Sequence, residues 1–353
     1  MISVVLHFDM KKFFLVAALA LCISHTNHAQ SQAKVAAIGF YNVENLFDTL
    51  DDPKKQDEEF TPAGPYHYGA EIYSQKLHNI ANVISQVGTD VTPDGLAIMG
   101  MAEVENDVVI KDLLAQPELA KRNYKYCWFY TPDERGISTA MIYNPKYFKV
   151  IGSQPLHVPL ESVGMKRPTR DILYVTGIFA GDTVHILVNH WPSKSGGEAQ
   201  SEPGRNVAAG VNKRIVDSLM NINPNAKILI MGDLNDNPTC NGILKIIKAQ
   251  ESLKGTKPTD IFNPWIKRYE AGQGTERYND EWNIIDQIMI SGNWISNPNN
   301  GWKYYKEDIF NKEFLITKSG RYRGYPLRSF AGTHWLNGYS DHFPVVMYFI
   351  KKS

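Results

Sequence analysis

Residues Ile228 to Pro238 read ILIMGDLNDNP, an apolar run that meets a glycine and then delivers an aspartate and an asparagine two positions apart. Four consecutive apolar residues, bounded by Gly232 and by the turn signal Asn237–Pro238, predict a strand buried on both faces. Strand side chains alternate, so Asp233 and Asn235 are expected to point to one side at its end. A carboxylate and an amide so placed can hold a water or metal beside a phosphate oxygen. The same string also suits a turn aspartate that only bonds its own backbone. The rest of the chain has to decide between the two.

Four further polar clusters sit at the ends of apolar runs. FYNVENLFD, residues 40–48, follows VAAIG and places Asn42 and Glu44 on one expected strand face. IMGMAEVEN, residues 98–106, delivers Glu103 and Glu105; because Asn106 can cap a following helix, Glu105 reads as a helix-start residue outside the site. VHILVNHWPSK, residues 184–194, ends in Asn189 and His190, and SDHFPVV, residues 340–346, joins Asp341 to His342 before a closing strand. A single strand-end carboxylate or Asp-His pair is usually a solvated loop residue. Five such clusters on separate strand ends predict a convergent site of the kind metal-assisted phosphoryl chemistry requires: hard oxygen ligands, imidazoles for proton transfer and amides to orient phosphate.

On these residues the sequence resembles the endonuclease/exonuclease/phosphatase superfamily, metal-dependent phosphoesterases that include deoxyribonuclease I, abasic-site endonucleases, sphingomyelinases and inositol-phosphate phosphatases. The likeness covers nearly all of the expected mature chain, with Asn42, Glu103, His190, the GDLN group, Asp286 in IIDQIMIS and the terminal SDH in the family's order. The wording NVENLFD, AEVEN and GYSDHFPV is most similar to a bacterial, often secreted, extracellular nuclease-like branch. The resemblance implies an α/β (α+β) fold: a four-layered, deoxyribonuclease I-like sandwich of two mostly antiparallel β-sheets flanked by helices, with the site at one end.

Chemistry assigns part of the site directly. Glu103 is the leading metal candidate because a carboxylate is a hard ligand suited to Mg²⁺, or to Mn²⁺, with Glu44 and Asp341 as secondary ligands. The resemblance selects Glu103 as well, although Ala102 stands where the family has an orienting glutamine. His342 is distinguished from His157, His185 and His334, read by default as satisfied surface or core histidines, by its neighbour Asp341 and its expected partner Asp286, whose carboxylate would fix the tautomer and favour the cation. The resemblance implies that this pair polarises the scissile phosphate and that His190 assists proton transfer to the leaving group. It further implies that Asp233 orients or deprotonates water while Asn235 and Asn42 hold phosphate oxygens.

The N-terminus predicts export. Lys11 and Lys12 precede FFLVAALALCI and a polar stretch ending in HAQ, the three-part layout of a secretory signal with Met10 as the expected start. That apolar run is shorter than the roughly 20 residues of a membrane span, and bulky Leu21 before Cys22 argues against lipid attachment. Cleavage after Gln30 leaves residues 31–353, expected as a single domain in a secreted or periplasmic protein, because the scattered site residues need one folded unit. Cys127 and Cys240 remain, with no zinc-ligand spacing and with their pairing left open.

Formal net charge is zero, so no global basic field draws the chain to nucleic acid and any polyanion contact must be local. The expected substrate contacts are Arg170 in MKRPTRD, Lys194 near His190, and Arg323 in RYRGYPLRSF, a stretch that also holds Arg321 and Arg328. These favour a Mg²⁺-dependent phosphodiesterase acting on DNA or RNA, with no stable protein partner. The alternatives are a phosphatase or phospholipase C-like enzyme of the same fold acting on lipid or sugar phosphates, and an inactive surface binding protein. FNPWI, residues 262–266, is too short for the membrane-facing loop a lipid enzyme would present. Periodicity predicts amphipathic helices over Ile72–Val87, Val108–Ala120 and Arg205–Met220. Strands are expected over Tyr124–Tyr130, Thr139–Tyr143, Leu173–Phe179 and Val184–Val188, the last two joined by a hairpin turn at 180–182.

Overall fold

Two six-stranded sheets face each other in the computed structural model, which describes residues 33–296 and 301–351. The leader expected at residues 1–30 lies outside the described residues. With strands numbered in chain order, the first sheet runs β13 (Lys303–Ile309), β16 (Val345–Lys351), β1 (Lys34–Leu46), β2 (Leu96–Val104), β4 (Ser138–Tyr143), β3 (Lys125–Trp128). The second runs β5 (Phe148–Leu156), β6 (Ile172–Phe179), β7 (Asp182–His190), β8 (Lys227–Asp233), β12 (Asp286–Ser291), β9 (Ile261–Phe262). Each sheet holds one parallel pair, β1 with β2 and β7 with β8, and its other pairings are antiparallel. Two short hairpins, β10 (Glu276–Tyr278) with β11 (Glu281–Asn283) and β14 (Phe330–Ala331) with β15 (His334–Trp335), stand outside the sheets.

Helices cross over between the parallel strands and cover the outer faces. Helix Ala70–Gln86 joins β1 to β2 and buries Leu77, Ile80, Val83 and Ile84, the apolar positions at helical spacing. Helix Glu198–Ile222 joins β7 to β8 and packs Ala208, Val211 and Val216 with Ile228 and Ile230 of β8. The other face of β8 sends Leu229 and Met231 into the core between the sheets, so ILIM is buried on both sides as its composition predicts. Each such side chain contributes about 1.5–3 kcal/mol. Helices outside and sheets inside make four layers, the deoxyribonuclease I-like arrangement expected.

The elements differ from the sequence reading mainly at their ends. The third helix begins at Glu198 and runs through Pro203, which removes only one ladder bond near its start. The second expected helix is two, Asp107–Leu114 and Pro117–Ala120, because Pro117 holds Gln116 in an extended conformation (ψ 142). Asn106 caps the first of these, accepting from the N–H groups of Val108 and Val109. The turn joining β6 to β7 places Ala180 and Gly181 at φ 44 and 105 between the paired Phe179 and Asp182, the two-residue geometry whose twist matches the flanking strands. Cys127 and Cys240 are both free thiols, and burial pushes them up to about 11 and about 12. Among the described residues no helix is long and apolar enough to cross a membrane.

Candidate active site

Strand direction explains why residues distant in sequence meet. β1, β2, β7 and β8 end at the same edge, where the antiparallel β12 and β16 begin. Register completes the alignment: His190 pairs with Asp233, and Asp233 pairs with Asp286, side by side across the second sheet. Gly232 allows β7 and β8 to approach there, since a Cβ on it would lie 2.3 Å from the carbonyl oxygen of Asn189.

Three contacts then bridge the sheets. Asn42 Nδ2 donates to Asp233 Oδ2 at 2.9 Å and lies 3.4 Å from Glu103 Oε1. His342 Nδ1 lies 2.8 Å from Asp286 Oδ2, with both side chains buried. His190 Nε2 stands 3.6 Å from Asp233 Oδ2 and 3.9 Å from Glu103 Oε1. The ligand atoms of Asp233, Asp286 and His342 all fall within 4.8 Å of one another.

The expected alternation of Asn42 and Glu44 is broken by backbone. Glu44 and Asn45 take φ 49 and 52 at an irregularity in the β1–β2 pairing, and Glu103 takes φ 64 at another in β2. These left-handed residues re-aim the side chains. Glu103 turns inward, with Oε2 fixed by the N–H of Asn45 at 2.8 Å. Glu44 turns away: its carboxylate accepts from the N–H of Ser329 at 2.7 Å and pairs with Arg328 at 3.4 Å. The structure thus turns this expected ligand toward Ser329 and Arg328 and does not bring it together with Glu103 and Asp233. Asp341 bridges the two groups, 3.0 Å from Arg328 and 3.7 Å from His342 Nε2.

GDLN makes the local turn bond and leaves its second carboxylate oxygen facing the centre. Asp233 Oδ1 accepts the N–H of Asn235 at 2.8 Å, the local turn bond, which leaves Oδ2 for Asn42. Asn235 lies past the strand at φ 50 and donates from Nδ2 to the carbonyl of Trp191, tying together the loops after β7 and β8. Arg170, expected as a substrate contact, is instead a buried strut, bound to Asp133 at 3.2 Å and to the Trp191 carbonyl at 2.7 Å. Arg323 sits exposed in a turn, and the cation of its stretch that reaches the Asp341–Glu44 group is Arg328. Lys194 lies between Glu198 and Asp236, 3.4 Å from each. Glu105 stays outside the centre, accepting the N–H of Asp48, and burial pushes it up to about 8.

Burial and charge set the protonation states. Burial, reinforced by Asp286, pushes Asp233 up to about 7, against the lowering effect of His342. Burial also drives His190 well below the ordinary histidine range, helped by Arg170 and Arg135, so its imidazole is neutral. His342 is equally buried, which lowers it, but the charge and hydrogen bond of Asp286, with Asp341 and Asp233, hold it well above that range. One imidazole is thus a cation and the other is neutral beside a carboxylate poised near neutrality.

The sequence model of the Endonuclease/Exonuclease/phosphatase family matches residues 37–352. The chain belongs to this family. Enzymes of the family hydrolyse phosphoric esters, the class expected from the motifs. Among solved structures with the same fold, truncated Caenorhabditis elegans TDP2 is 15% identical with a TM-score of 0.54, covering 89% of this chain and 97% of that one. D. rerio TDP2 complexed with single strand DNA product is 13% identical (TM-score 0.52; 90% and 99% covered). The Bacteroides thetaiotaomicron VPI-5482 mannosyl-6-phosphatase is 15% identical (TM-score 0.50; 89% and 99% covered). No curated protein matches the sequence significantly.

The motifs did not point to the hairpin β10–β11, whose Glu276 bridges to the backbone of His342 and whose Trp282 stacks on Phe343. Nor did they point to Lys76, which is buried under the site with Nζ hydrogen-bonded to Ser329 Oγ. A lysine on the buried stripe of helix Ala70–Gln86 was the available signal for the latter.

Proposed function

We propose that the chain is a Mg²⁺-dependent phosphoester hydrolase, with Mn²⁺ as the alternative ion, that cleaves a P–O bond by in-line attack of water and is exported through its N-terminal leader. The observation that carries this reading is the meeting of Asp233, Asp286 and His342 within 4.8 Å, with Glu103 facing them across the sheets. Hard oxygen donors fit such an ion. Glu103 would hold it, since one of its oxygens is pinned by Asn45 and the other faces the centre. Asp286 Oδ1, buried without a partner, adds an orphan acceptor in the same place. When bound, the ion supplies positive charge to the phosphoryl oxygens.

The remaining work falls to this chain's own groups. Asp233 Oδ2 takes the proton of the attacking water as the new O–P bond forms and the bond to the leaving oxygen breaks. His342, held cationic by Asp286, donates from Nε2 to a non-bridging oxygen, and Asn42 restrains Asp233 from the other side. Neutral His190, 3.6 Å from Asp233 Oδ2, is placed to relay that proton onward to the leaving oxygen, which departs as an alcohol. Hydrolysis of p-nitrophenyl phosphate and its bis-ester tests the reading: activity should vanish with EDTA and return with Mg²⁺. EDTA-resistant activity, or none on any phosphoester, would sink it. Protein recovered from the periplasm or medium should begin after residue 30; an uncleaved N-terminus would refute export.

Nucleic acid as the substrate is a second reading. It is supported by the half-exposed guanidinium of Arg328 beside the centre and by the single strand DNA product held in a TDP2 of the same fold. Salt-dependent cleavage of an oligonucleotide, faster than that of any compact phosphoester, would favour it.

A further inference from the structure

Beside the catalytic centre lies a cleft of about 1080 Å³, walled by the loop after β8, the start of helix Glu198–Ile222 and the hairpin β10–β11. Asn235, two residues from Asp233, lines it, and so does Glu276, which is bridged to the backbone of His342. A molecule with its phosphate at Asp233 and His342 would therefore place its organic part here. The wall is held by its own bonds. Asn237 Nδ2 donates to Asn283 Oδ1 at 2.9 Å, Asn237 Oδ1 accepts the N–H of Ile284 at 3.0 Å, and Asn283 Nδ2 donates to Glu276 Oε2 at 3.1 Å.

The charge of this wall excludes one class of occupant. Its carboxylates are Glu198, Asp236, Glu276 and Glu281, and its one cation, Lys194, already lies 3.4 Å from both Glu198 and Asp236. A polynucleotide would bring flanking phosphates into this wall, where binding needs unpaired cations. Trp282 in the same wall is covered, with Phe343 stacked at 6.0 Å and the Arg277 guanidinium 5.4 Å from its ring, so Tyr278 is the aromatic face the cleft offers. What remains is a set of paired donors and acceptors, the amides of Asn235 and Asn279 and the carboxylate of Glu281, beside Tyr278, whose side chain is 65% exposed.

We infer that this cleft binds the uncharged, hydroxyl-rich part of a phosphoester, a glycosyl or polyol group, and so selects a sugar phosphate as substrate. The inference rests on the phosphoester-hydrolase reading above, which supplies the phosphate end. Polar groups placed around a concave wall fix the orientation of such a ligand, and the exposed ring of Tyr278 gives a face for its C–H side.

The test compares kcat/KM for a hexose 6-phosphate, p-nitrophenyl phosphate, phosphocholine and a DNA dodecamer, in the wild type and in Tyr278→Ala and Glu281→Ala. Neither residue belongs to the catalytic centre, and both side chains are exposed. The expected result is that the hexose phosphate is the preferred substrate. Each substitution should lower its kcat/KM by about 10-fold, chiefly through KM, as loss of binding shared by ground and transition states does, while p-nitrophenyl phosphate is cut as before. Preference for the dodecamer or for phosphocholine, or equal losses on hexose phosphate and p-nitrophenyl phosphate, would overturn the inference. If every substrate is inert the hydrolase reading fails separately. A fluorescence titration of the whole protein with hexose 6-phosphate then still decides the cleft: saturable binding lost in Tyr278→Ala supports it, and no binding overturns it.

Discussion

Asp286→Asn isolates the charge that the centre places behind His342. The substitution keeps the shape of the side chain and its place at the start of β12, opposite Asp233. What changes is the partner of His342 Nδ1, now an uncharged amide at a buried contact of 2.8 Å. A hydrogen bond to a charged group contributes about 1.5–3 kcal/mol, which corresponds to a factor of roughly 10 to 10². One titration then moves in a defined direction: His342 loses its main upward influence, so burial pulls it down, and the pH above which it is no longer a cation falls. Asp233 is pulled both ways, losing the charge of Asp286 that raised it and, wherever His342 is neutral, the larger charge that lowered it. The basic limb reports His342, so that limb should shift toward acid. Turnover near pH 8 should drop by about 10 to 10²-fold and partly recover on acidification. The assay is a pH–rate profile on bis(p-nitrophenyl) phosphate with saturating Mg²⁺, repeated in a His342→Ala background, where Asp286→Asn should add little because the two act as a unit. A lower rate with an unmoved profile, or the same loss with His342 already gone, would refute the reasoning.

Glu103→Gln should abolish activity by weakening Mg²⁺ binding while the fold survives, because an amide oxygen can still accept the N–H of Asn45; calorimetric affinity equal to wild type would contradict this. Glu44, pushed by burial and Asp341 from its ordinary 4.5 to about 7, holds its proton more tightly folded than unfolded. Its contribution to stability is fully present below the unfolded value and is lost as pH rises toward 7, an effect of roughly 3 kcal/mol. Glu44→Gln should therefore flatten the fall in urea-unfolding stability between those values, and an unchanged slope would count against it. Gly232→Ala should destabilise by about 1–3 kcal/mol or more, because its methyl meets the Asn189 carbonyl at 2.3 Å, and wild-type melting behaviour would show that β7 and β8 can separate at no cost.

Strand-end chemistry was legible because it is local: an apolar run and the polar residue that follows it stand together in the sequence. Asn42, Glu103, His190, Asp233 and His342 could be named from such clusters and Asp286 from the family resemblance, and the structure brings all six together. Direction of pointing was harder to read. Alternation predicts Glu44 beside Asn42, but left-handed backbone at Glu44 and Asn45 cancels it; Asn45 is a type that tolerates a positive φ, whereas Glu44 gives no such signal. Basic residues were the least legible part. Arg170, Arg323 and Arg328 look alike as letters, and only tertiary packing buries the first, leaves the second in an exposed turn and sets the third beside Asp341.

Three contacts of the centre cross from one sheet to the other: Asn42 to Asp233, His342 to Asp286, and the approach of Glu103 to His190. Neither sheet alone owns a proton acceptor, its restraint and its cation together. A chain with one sheet formed, or with both formed but undocked, is chemically silent toward phosphoesters. Hydrolysis should then be the last property to appear on refolding, after secondary structure and after burial of the tryptophans, so that turnover itself is a clock for the final closure of the molecule.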